Sequence, residues 1–402
     1  MSILVINAGS SSLKFGLFEE VSLEALASGV IDWASGPRQA GLSVTLPGCE
    51  EVRSEAVVPD YDSAVALALR VLKEKKLISN AGHEAISAVG HRVVHGGALF
   101  RNSVLIDSAV KEAISGLASL APLHNRPAFN ALTAVEAALP GVPQVAVFDT
   151  AFYARMPLKA TVYPLPYEWY TDWGVRRFGF HGISHAWCAG RAAELSGRKP
   201  QELRVISCHL GNGCSATAVL RGVPVATTMG FTPMDGLMMG TRPGSVDPGI
   251  LLHVLKHRGL NVDQLDSTLN HGSGLLGVSG VSSDFRNVEA SARQGNDRAR
   301  LALEIYAGRI REGVGALAVT MGGVDSLVFT AGVGENSAVL RSSVCDGLEC
   351  LGLKLDPRRN AECRPDADIS TAGSPSKILV IRTREELLIA RETRRVTSKG
   401  KY

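Results

Sequence analysis

Histidine and arginine side chains recur in this sequence where apolar runs end or where glycines cluster. They lie in four segments: His91, Arg92 and His95 in GHRVVHGG; Arg176, Arg177, His181 and His185 in VRRFGFHGISH; His209 in SCHLGNG; Arg242 in MMGTRPG. One such residue alone is usually a hydrogen-bonded core histidine or a surface arginine. Several at strand ends and beside glycines, where α/β folds place their chemistry, predict a functional site.

Turns of small residues follow three of the strand-like runs, in INAGSSSLKF, HLGNGCSA and FTAGVGENS. The backbone N–H groups of such turns bind anions. Lys14 lies two residues after Ser12, where its ammonium group would neutralise phosphate oxygens. The alternative interpretation of Lys14 is an exposed lysine of an edge strand. Together these features predict a phosphate-binding site.

Basic side chains beside phosphate-binding turns suit phosphoryl transfer. The moving phosphoryl group spreads negative charge over three oxygens, so catalysis is largely positioning and electrostatic stabilisation by Arg, Lys, His and Mg²⁺. Magnesium needs oxygen ligands. The polar or acidic candidates next to these segments are Asn7, Ser10, Ser12, Asp149 and Glu385. Asp149 directly follows the apolar run QVAVF, although a helix or turn cap is its alternative role.

Other anion-binding and metal-binding classes fit the sequence poorly. No G-x-x-x-x-G-K-[ST] segment is present, which excludes a P-loop enzyme. GNGCSA matches G-x-G-x-x-A, but the following TAVLRGVPVAT favours a strand where a dinucleotide fingerprint needs a helix. HGISH and HVLKH have two histidines four residues apart but lack the glutamate of H-E-x-x-H, which argues against zinc.

The elements that position these residues follow from apolar periodicity. ILVIN and LKFGLF predict two strands around the first turn, and DSAVALALRVLK predicts a helix capped by Asp62 or Ser63. RVISCHLGNGCSATAVLRG repeats the pattern of strand, small-residue turn and strand about halfway along the chain. This recurrence indicates an internal duplication, unless two hairpins merely look alike. The length of 402 residues favours two domains.

Composition excludes several classes of protein. The net charge of +3 is too small to indicate binding to nucleic acid or to an anionic membrane. The seven cysteines form no C-x-x-C pair, which argues against a disulfide framework and favours a cytoplasmic location. The N-terminus lacks the features of a signal peptide, and no apolar run approaches the length of a membrane-spanning helix.

A series of sequence segments occurs here in the same order as in the acetate kinases, and this resemblance extends from residue 3 to about residue 395. It is carried by INAGSSSLKF, GHRVVHGG, FDTAF, RRFGFHGISH, HLGNG, MGFTPMDGLMMGTRPG, GVSSDFR, FTAGVGENS and TREELLIARET. The resemblance implies an α/β fold of the sugar-kinase, actin and heat-shock-chaperone superfamily (ribonuclease H-like), with a duplicated βββαβαβα core. It implies an N-terminal lobe of residues 1–150 plus 386–402 on the acyl and phosphate side. Residues 151–385 would form a nucleotide-binding lobe that also dimerises.

The same resemblance implies roles for individual residues. Arg92 would bind the carboxylate, Asp149 would orient a proton or a metal, and His181 and Arg242 would stabilise the transition state. An apolar pocket for the acyl methyl group would be formed by Val94, Leu123, Phe180 and Pro233. Mg²⁺, or Mn²⁺ in its place, would be bound by Asn7 and Glu385. ATP would contact Lys14, His209, Leu210, Gly211, Asn212, Gly213, Asp284, Phe285, Arg286, Gly332, Val333, Gly334, Glu335 and Asn336.

The implied activity is the reversible, magnesium-dependent transfer of the ATP γ-phosphoryl group to acetate, by direct in-line transfer, in a cytoplasmic homodimer. Two alternatives remain open from the residues. One methylene group in an apolar pocket discriminates by only about 1–3 kcal/mol, so propionate is an alternative main substrate. A nucleotide-gated ATPase of the actin or chaperone kind is the other alternative, although it would not need Arg92, His181 and Arg242 together.

Overall fold

The structure is a computed structural model that describes residues 1–34, 36, 39–78, 86–117 and 122–399, without the side chains of 122–124 and 399. Its contacts divide the chain into two compact units, Met1–Ala154 with Arg384–Tyr402, and Arg155–Thr383. The sequence-based boundaries lay after residues 150 and 385. Glu385 therefore lies in the first unit, because it begins a helix that packs on the sheet of that unit.

The first unit contains an eight-stranded mixed sheet. In sheet order β5-β4-β3-β2-β1-β6-β8-β7, strands β1 to β5 form an antiparallel meander, whereas β1, β6 and β8 are parallel. The strands are β1 (Ser2–Ala8), β2 (Ser12–Glu19), β3 (Ala25–Asp32), β4 (Ala40–Thr45), β5 (Val52–Ala56), β6 (Ile86–Val93), β7 (Val104–Leu105) and β8 (Gln144–Phe148). The helices are α1 (Tyr61–Glu74), α2 (Ser108–Gly116), α3 (Pro122–Ala138) and the C-terminal α15 (Glu385–Lys399).

Helices cover both faces of this sheet. Val89 of β6 packs in the apolar core together with residues of α1 and α3. A Cβ atom on the next residue, Gly90, would lie 2.2 Å from Thr393 Oγ1 and 2.8 Å from Ile389 Cγ2 of α15. Since successive residues of a strand point to opposite faces, α15 covers the second face, and Gly90 permits its close approach.

The start of α1 differs from the sequence-based prediction of Asp62 or Ser63 as the cap. The N-cap is Asp60, whose carboxylate accepts a hydrogen bond from the Ser63 backbone N–H at 2.8 Å. Two aspartates precede the apolar run, and only the backbone conformation decides which of them caps the helix.

The second unit contains a six-stranded sheet in the order β11-β10-β9-β12-β14-β13. Its strands are β9 (Arg204–Leu210), β10 (Cys214–Leu220), β11 (Val223–Thr227), β12 (Ser326–Thr330), β13 (Ala367–Asp368) and β14 (Lys377–Val380). Its helices are α4 (Leu158–Thr161), α5 (Tyr167–Thr171), α6 (Gly182–Ser196), α7 (Pro248–His257), α8 (Val262–His271), α9 (Gly274–Ser279), α10 (Phe285–Arg293), α11 (Asp297–Met321), α12 (Ala331–Asn336), α13 (Ala338–Cys345) and α14 (Pro357–Ala361). None of the helices in the described part of the chain combines the length and the apolar character needed to cross a membrane.

The two sheets share one strand arrangement. The order β3-β2-β1-β6-β8 in the first unit matches β11-β10-β9-β12-β14 in the second, with the same antiparallel and parallel pairings. In each unit the first parallel strand and the turn after it come from one of the two similar sequence segments. The expected duplication and the α/β fold class are therefore confirmed.

A buried arginine fixes the position of α12. Arg341 of α13 is 2% exposed, and its Nη1 donates to the carbonyl oxygens of Gly334 and Glu335, each at 2.9 Å. Its Nε and Nη2 donate to Asn360 Oδ1 and to the Asn360 carbonyl at 2.8 and 2.9 Å. The last carbonyl groups of a helix lack intrahelical partners, so Arg341 supplies the donors that α12 needs.

We predict that Arg341→Leu lowers the free energy of unfolding of the second unit by about 3 kcal/mol, because three carbonyl oxygens and one amide oxygen lose their donor. Urea unfolding followed by circular dichroism measures the change. Arg300→Leu on the exposed side of α11 is the control, with an expected change of less than about 0.5 kcal/mol. Equal unfolding midpoints for Arg341→Leu and the wild type would contradict this role of Arg341.

Candidate active site

Arg92 is the centre of a polar cluster in the first unit. It lies near the carboxyl end of β6, and Asp149 directly follows the neighbouring parallel strand β8. Arg92 Nη2 and Nε donate to Asp149 Oδ2 at 2.6 and 3.1 Å. Because parallel strands end at the same edge of a sheet, the two residues meet although they are far apart in sequence.

Two more of the predicted residues contact the same guanidinium group. Arg92 Nη1 lies 3.4 Å from Asn7 Oδ1, at the end of β1, and 3.6 Å from Glu385 Oε2, at the start of α15. Burial alone would lower the pKa of Arg92, but the carboxylates of Asp149 and Glu385 outweigh it and raise that pKa. We call Asn7, Arg92, Asp149 and Glu385 the Arg92 cluster.

The Arg92 cluster carries more negative than positive charge. Glu386 lies beside it, and burial followed by the charge of Glu385 raises the pKa of Glu386, whereas Lys14 and Arg92 lower it. Lys14 is exposed and lies opposite Asn7 in the β1–β2 register. Lys14, predicted to contact ATP, thus lies in the first unit next to the predicted metal ligands.

The chemistry of the Arg92 cluster suits a hard cation. Asn7 and Glu385 are each 8% exposed and offer an amide oxygen and a carboxylate. Within the described residues, no group of three or more His, Cys, Asp and Glu side chains could hold a metal by itself. Mg²⁺ typically binds through one or two carboxylates and completes its shell with water and phosphate oxygens, so this sparse oxygen set fits Mg²⁺.

The second unit brings three predicted histidines together with two serines. His181 precedes α6 and has left-handed backbone angles, φ 54° and ψ 27°. Its ring stacks on His209 of β9 with 4.1 Å between centroids. Ser215 Oγ lies 2.8 Å from His181 Nδ1 and 2.8 Å from His185 Nε2, and His209 Nδ1 lies 2.8 Å from Ser184 Oγ. A non-glycine residue in this backbone region is strained, and such residues concentrate at functional sites.

Arg242 lies next to His181 because Gly213 has no side chain. A Cβ atom on Gly213 would lie 2.8 Å from Arg242 Nη2 and 3.3 Å from His181 Nε2. Arg242 Nη1 donates to the Pro233 carbonyl at 2.6 Å, and burial lowers the pKa of Arg242. An arginine nevertheless stays charged in proteins. No ion pair of Arg242 with a carboxylate occurs among the described residues, which is typical of a cation that meets an anionic ligand.

A cavity of about 970 Å³ opens beside these residues in the second unit. It is lined by eight residues that the sequence predicted for ATP, namely Gly211, Asn212, Asp284, Phe285, Arg286, Gly332, Val333 and Asn336. Its volume lies at the upper end of the range for small-molecule sites, which extends to about 1,000 Å³. Gly211 and Asn212 at its wall are directly followed by Gly213, so the cavity ends near His181 and Arg242.

Other residues predicted for ATP do not line this cavity. Leu210 is fully buried, and His209 and Gly213 belong to the histidine and arginine groups described above. The predicted Gly332–Asn336 turn is part of the short helix α12, in which Gly334 is buried. The Glu335 carboxylate accepts hydrogen bonds from the backbone N–H groups of Ala331 and Thr383 at 3.0 and 2.8 Å, so it binds the backbone of the protein itself.

Seven further residues that line the cavity were not predicted from the sequence. They are Leu275, Ser283, Glu289, Arg293, Ser337, Ala338 and Val339. Glu289 and Arg293 follow Phe285 at intervals of four on α10, so helical spacing from Phe285 could have found them. Leu275 comes from α9 and carried no such signal.

The residues predicted for the acyl pocket belong to different units. Val94 follows β6 in the first unit and is partly buried. Phe180, 1% exposed, and the partly buried Pro233 lie in the second unit. The side chain of Leu123 lies outside the described residues. The apolar pocket formed by these four residues therefore stays a prediction.

The comparisons with known proteins agree on one family. Residues 2–391 match the sequence model of the acetokinase family. The acetate kinase of a Cyanothece species is 48% identical, covering 98% of this chain and 97% of that protein. An acetate kinase of Clostridium botulinum is 46% identical, covering 99% of this chain and 100% of that protein.

Solved structures of two relatives share the fold. The acetate kinase of Porphyromonas gingivalis matches with a TM-score of 0.90 at 43% identity, over 98% of this chain and 99% of that one. A propionate kinase from Francisella tularensis matches with a TM-score of 0.90 at 37% identity, over 98% and 99%. Since both the family match and the relatives cover nearly the full length, this chain belongs to the acetokinase family, whose members are phosphotransferases with a carboxyl group as acceptor.

Proposed function

We propose that the protein transfers the γ-phosphoryl group of ATP to acetate, reversibly and in one in-line step, giving acetyl phosphate and ADP. The observation that carries the proposal is the arrangement of Arg242 and His181 at Gly213, where a nucleotide-sized cavity ends. A nucleotide in this cavity would direct its phosphates towards two nitrogen donors, one of which is permanently charged.

The nucleotide base and ribose would lie in the cavity, between α10 and α12. Phe285 and Val333 provide apolar surface, whereas Asp284, Arg286 and Asn336 provide polar groups at its wall. Asp284 caps α10 through the Arg286 backbone N–H and pairs with the exposed Arg286 side chain at 2.6 Å, so the Asp284 carboxylate is oriented before a ligand binds. Preorganised polar groups reduce the entropic cost of binding.

His181 and Arg242 would stabilise the phosphoryl group during transfer. Negative charge spreads over the three equatorial oxygens, and donors already in place need no reorganisation at that moment. Arg242 is held by the Pro233 carbonyl, and His181 is held by Ser215 and by its stack on His209. The second unit thus provides an electrostatic cradle for the phosphoryl group.

The acceptor carboxylate would bind Arg92. A carboxylate with a pKa near that of Asp or Glu is ionised at neutral pH, so acetate is already a nucleophile and needs no general base. The obstacle is repulsion between two anions, which the guanidinium group of Arg92 reduces. Asp149 Oδ2 accepts two hydrogen bonds from Arg92 and so fixes its orientation.

Mg²⁺, with Mn²⁺ as a substitute, would be held by Asn7 and Glu385, with Asp149 beside them. When bound with ATP, the cation neutralises charge on the phosphate oxygens. Asn7 and Glu385 already lie on one side of Arg92, within 3.6 Å of its Nη1. The Glu385 carboxylate would balance part of the positive charge of the ion, the neutral amide oxygen of Asn7 would add a ligand, and Arg92 keeps the two side chains in place.

The cellular location that we propose is the cytoplasm. All seven cysteines are free in the structure, and four of them, Cys188, Cys208, Cys214 and Cys345, are buried. Burial raises the pKa of Cys188 to about 12 and that of Cys214 to about 11, so these two thiols stay protonated. Free thiols without disulfides are typical of proteins in a reducing compartment.

Trapping of acyl phosphate with hydroxylamine tests the proposed function. We predict hydroxamate formation with acetate, ATP and Mg²⁺, and none after chelation with EDTA. Propionate should react with a kcat/KM roughly 10-fold or more below that of acetate, and butyrate more slowly still, because the pocket discriminates by methylene groups. A higher kcat/KM with propionate would make propionate the main substrate. Loss of ATP without hydroxamate would instead support the nucleotide-gated ATPase.

Arg242→Ala should lower kcat by roughly 100-fold to 1,000-fold with little effect on folding, since one preorganised donor to the transferring group is lost. Steady-state kinetics and circular dichroism measure the two effects. Arg300→Ala, an exposed arginine of α11, is the matched control and should keep its kcat. A near-normal kcat in Arg242→Ala would remove Arg242 from the catalytic set.

We also propose a homodimer that forms through α7. None of the residues of α7 is buried, and its apolar side chains Ile250 and Leu252 are each 54% exposed. Because residues two apart point to different sides of a helix, α7 exposes apolar side chains on more than one side. Exposed apolar surface indicates a protein interface, and the acetate kinase family is expected to be homodimeric. Light scattering should give twice the mass of one chain, and the double variant Ile250→Glu, Leu252→Glu should give the mass of one. The control is Val319→Glu on α11, 77% exposed in the wild type, which should stay dimeric. A monomeric wild type would overturn the proposal.

A further inference from the structure

The Ser215 hydroxyl group lies between two histidine rings, that of His185 in α6 and that of His181 at the N-cap of α6. Ser215 lies at the start of β10, is 0% exposed, and its Oγ is 2.8 Å from both His181 Nδ1 and His185 Nε2. A serine hydroxyl has one hydrogen and two lone pairs. Among the described residues, the two histidine rings are the only hydrogen-bond partners of Ser215 Oγ, so its hydrogen has an acceptor only if it donates to one ring and accepts from the other. The direction of this chain of hydrogen bonds decides where the proton of each imidazole lies.

The surroundings of His185 select one direction. His185 is 0% exposed, and its Nδ1 has no hydrogen-bond partner among the described residues. A proton on Nδ1 would be a buried N–H group without an acceptor, which is rarer in proteins than an unpaired acceptor. A proton on Nε2 meets the Ser215 oxygen at hydrogen-bond distance. His185 therefore donates from Nε2, and Ser215 donates its own hydrogen onward to His181 Nδ1.

We propose that Ser215 and His185 are positioning residues that keep the proton of neutral His181 on Nε2. The chain runs from His185 Nε2–H to Ser215 Oγ–H and ends at His181 Nδ1. This inference rests on the proposed function, in which His181 contacts the phosphoryl group. It explains how His181 presents an N–H donor beside Gly213 and Arg242 before any ligand binds.

The opposite direction would work against phosphoryl transfer. If His181 carried its proton on Nδ1, its Nε2 lone pair would face the side on which Gly213 and Arg242 lie. A lone pair repels phosphate oxygens, whereas an N–H group attracts them.

A neutral His181 follows from this direction, because its Nδ1 accepts the Ser215 hydrogen and so carries no proton. Arg242 Nη2 lies on the same side of Gly213 as His181 Nε2 and favours the same state. A positive charge nearby disfavours protonation of a histidine ring. Burial, followed by the charge of His209, lowers the pKa of His185 well below its ordinary value, so the donor end of the chain is also neutral.

Nitrogen NMR of the full-length protein labelled with ¹⁵N-histidine tests the proposal, because Nδ1 and Nε2 shifts distinguish the two neutral tautomers. The His181 signals are assigned from their absence in His181→Gln. We expect the Nε2–H tautomer in the wild type and a mixture of tautomers in Ser215→Ala and in His185→Phe. His185→Gln should restore the wild-type pattern, because its amide nitrogen can replace the Nε2 donor.

Kinetics on the same samples complete the test. Ser215→Ala and His185→Phe should lower kcat by about 10-fold or more, as outer partners of functional histidines do, with the KM values for ATP and acetate within about twofold of the wild type. His185→Gln should recover most of that kcat. The matched control is Ser326→Ala, a strand serine 1% exposed whose Oγ has no partner among the described residues, and it should change neither the tautomer nor kcat.

The outcomes separate this inference from the proposed function. A wild-type His181 protonated on Nδ1, or an unchanged tautomer in both Ser215→Ala and His185→Phe, would overturn the inference. If the tautomers behave as expected but kcat is unchanged, Ser215 and His185 are not positioning residues for catalysis, which also overturns it. Absence of acyl phosphate with every carboxylate would contradict the proposed function, while the NMR result would still decide the direction of the chain.

Discussion

The guanidinium group of Arg242 is a partly buried positive charge that no carboxylate neutralises among the described residues. Burying such a charge costs free energy unless an anion pairs with it. The missing side chain of Gly213 lets Arg242 and His181 approach the same turn, and the nucleotide-sized cavity ends at Gly211 and Asn212, directly before Gly213. The turn after β9 therefore has to be made of small residues, and the strands around it have to hold it rigidly.

The duplicated strand arrangement provides that rigidity twice. In the first unit, β1, β6 and β8 end beside one another and deliver Asn7, Arg92 and Asp149 to a single cluster. In the second unit, β9 and β10 flank the turn that contains Gly213, and β12 leads into α12 at the wall of the cavity. Parallel strands concentrate polar groups at one edge of a sheet, so one architecture can build both a carboxylate-rich cluster and an anion-binding turn.

The polar groups of the Arg92 cluster in the first unit and of the His181 site in the second unit are held chiefly by other protein groups. Arg92 is oriented by Asp149, His181 by Ser215, and α12 by Arg341. Each partner removes rotational freedom before the ligand arrives, which is the physical basis of electrostatic preorganisation.

The sequence by itself determined the strands that flank the small-residue turns, the two similar hairpins and the residue types of the candidate site. Apolar alternation and small-residue turns are local signals, and the long ordered set of segments carried the resemblance to the family. Only the tertiary structure decided which aspartate caps α1, that residues Gly332–Asn336 form part of a helix, and that the Glu335 carboxylate binds backbone N–H groups. It also decided that Ser215 joins His181 to His185, 30 residues away, and that Glu289 and Arg293 line the cavity. Such contacts depend on how distant segments pack, and local periodicity contains no information about the distance between them.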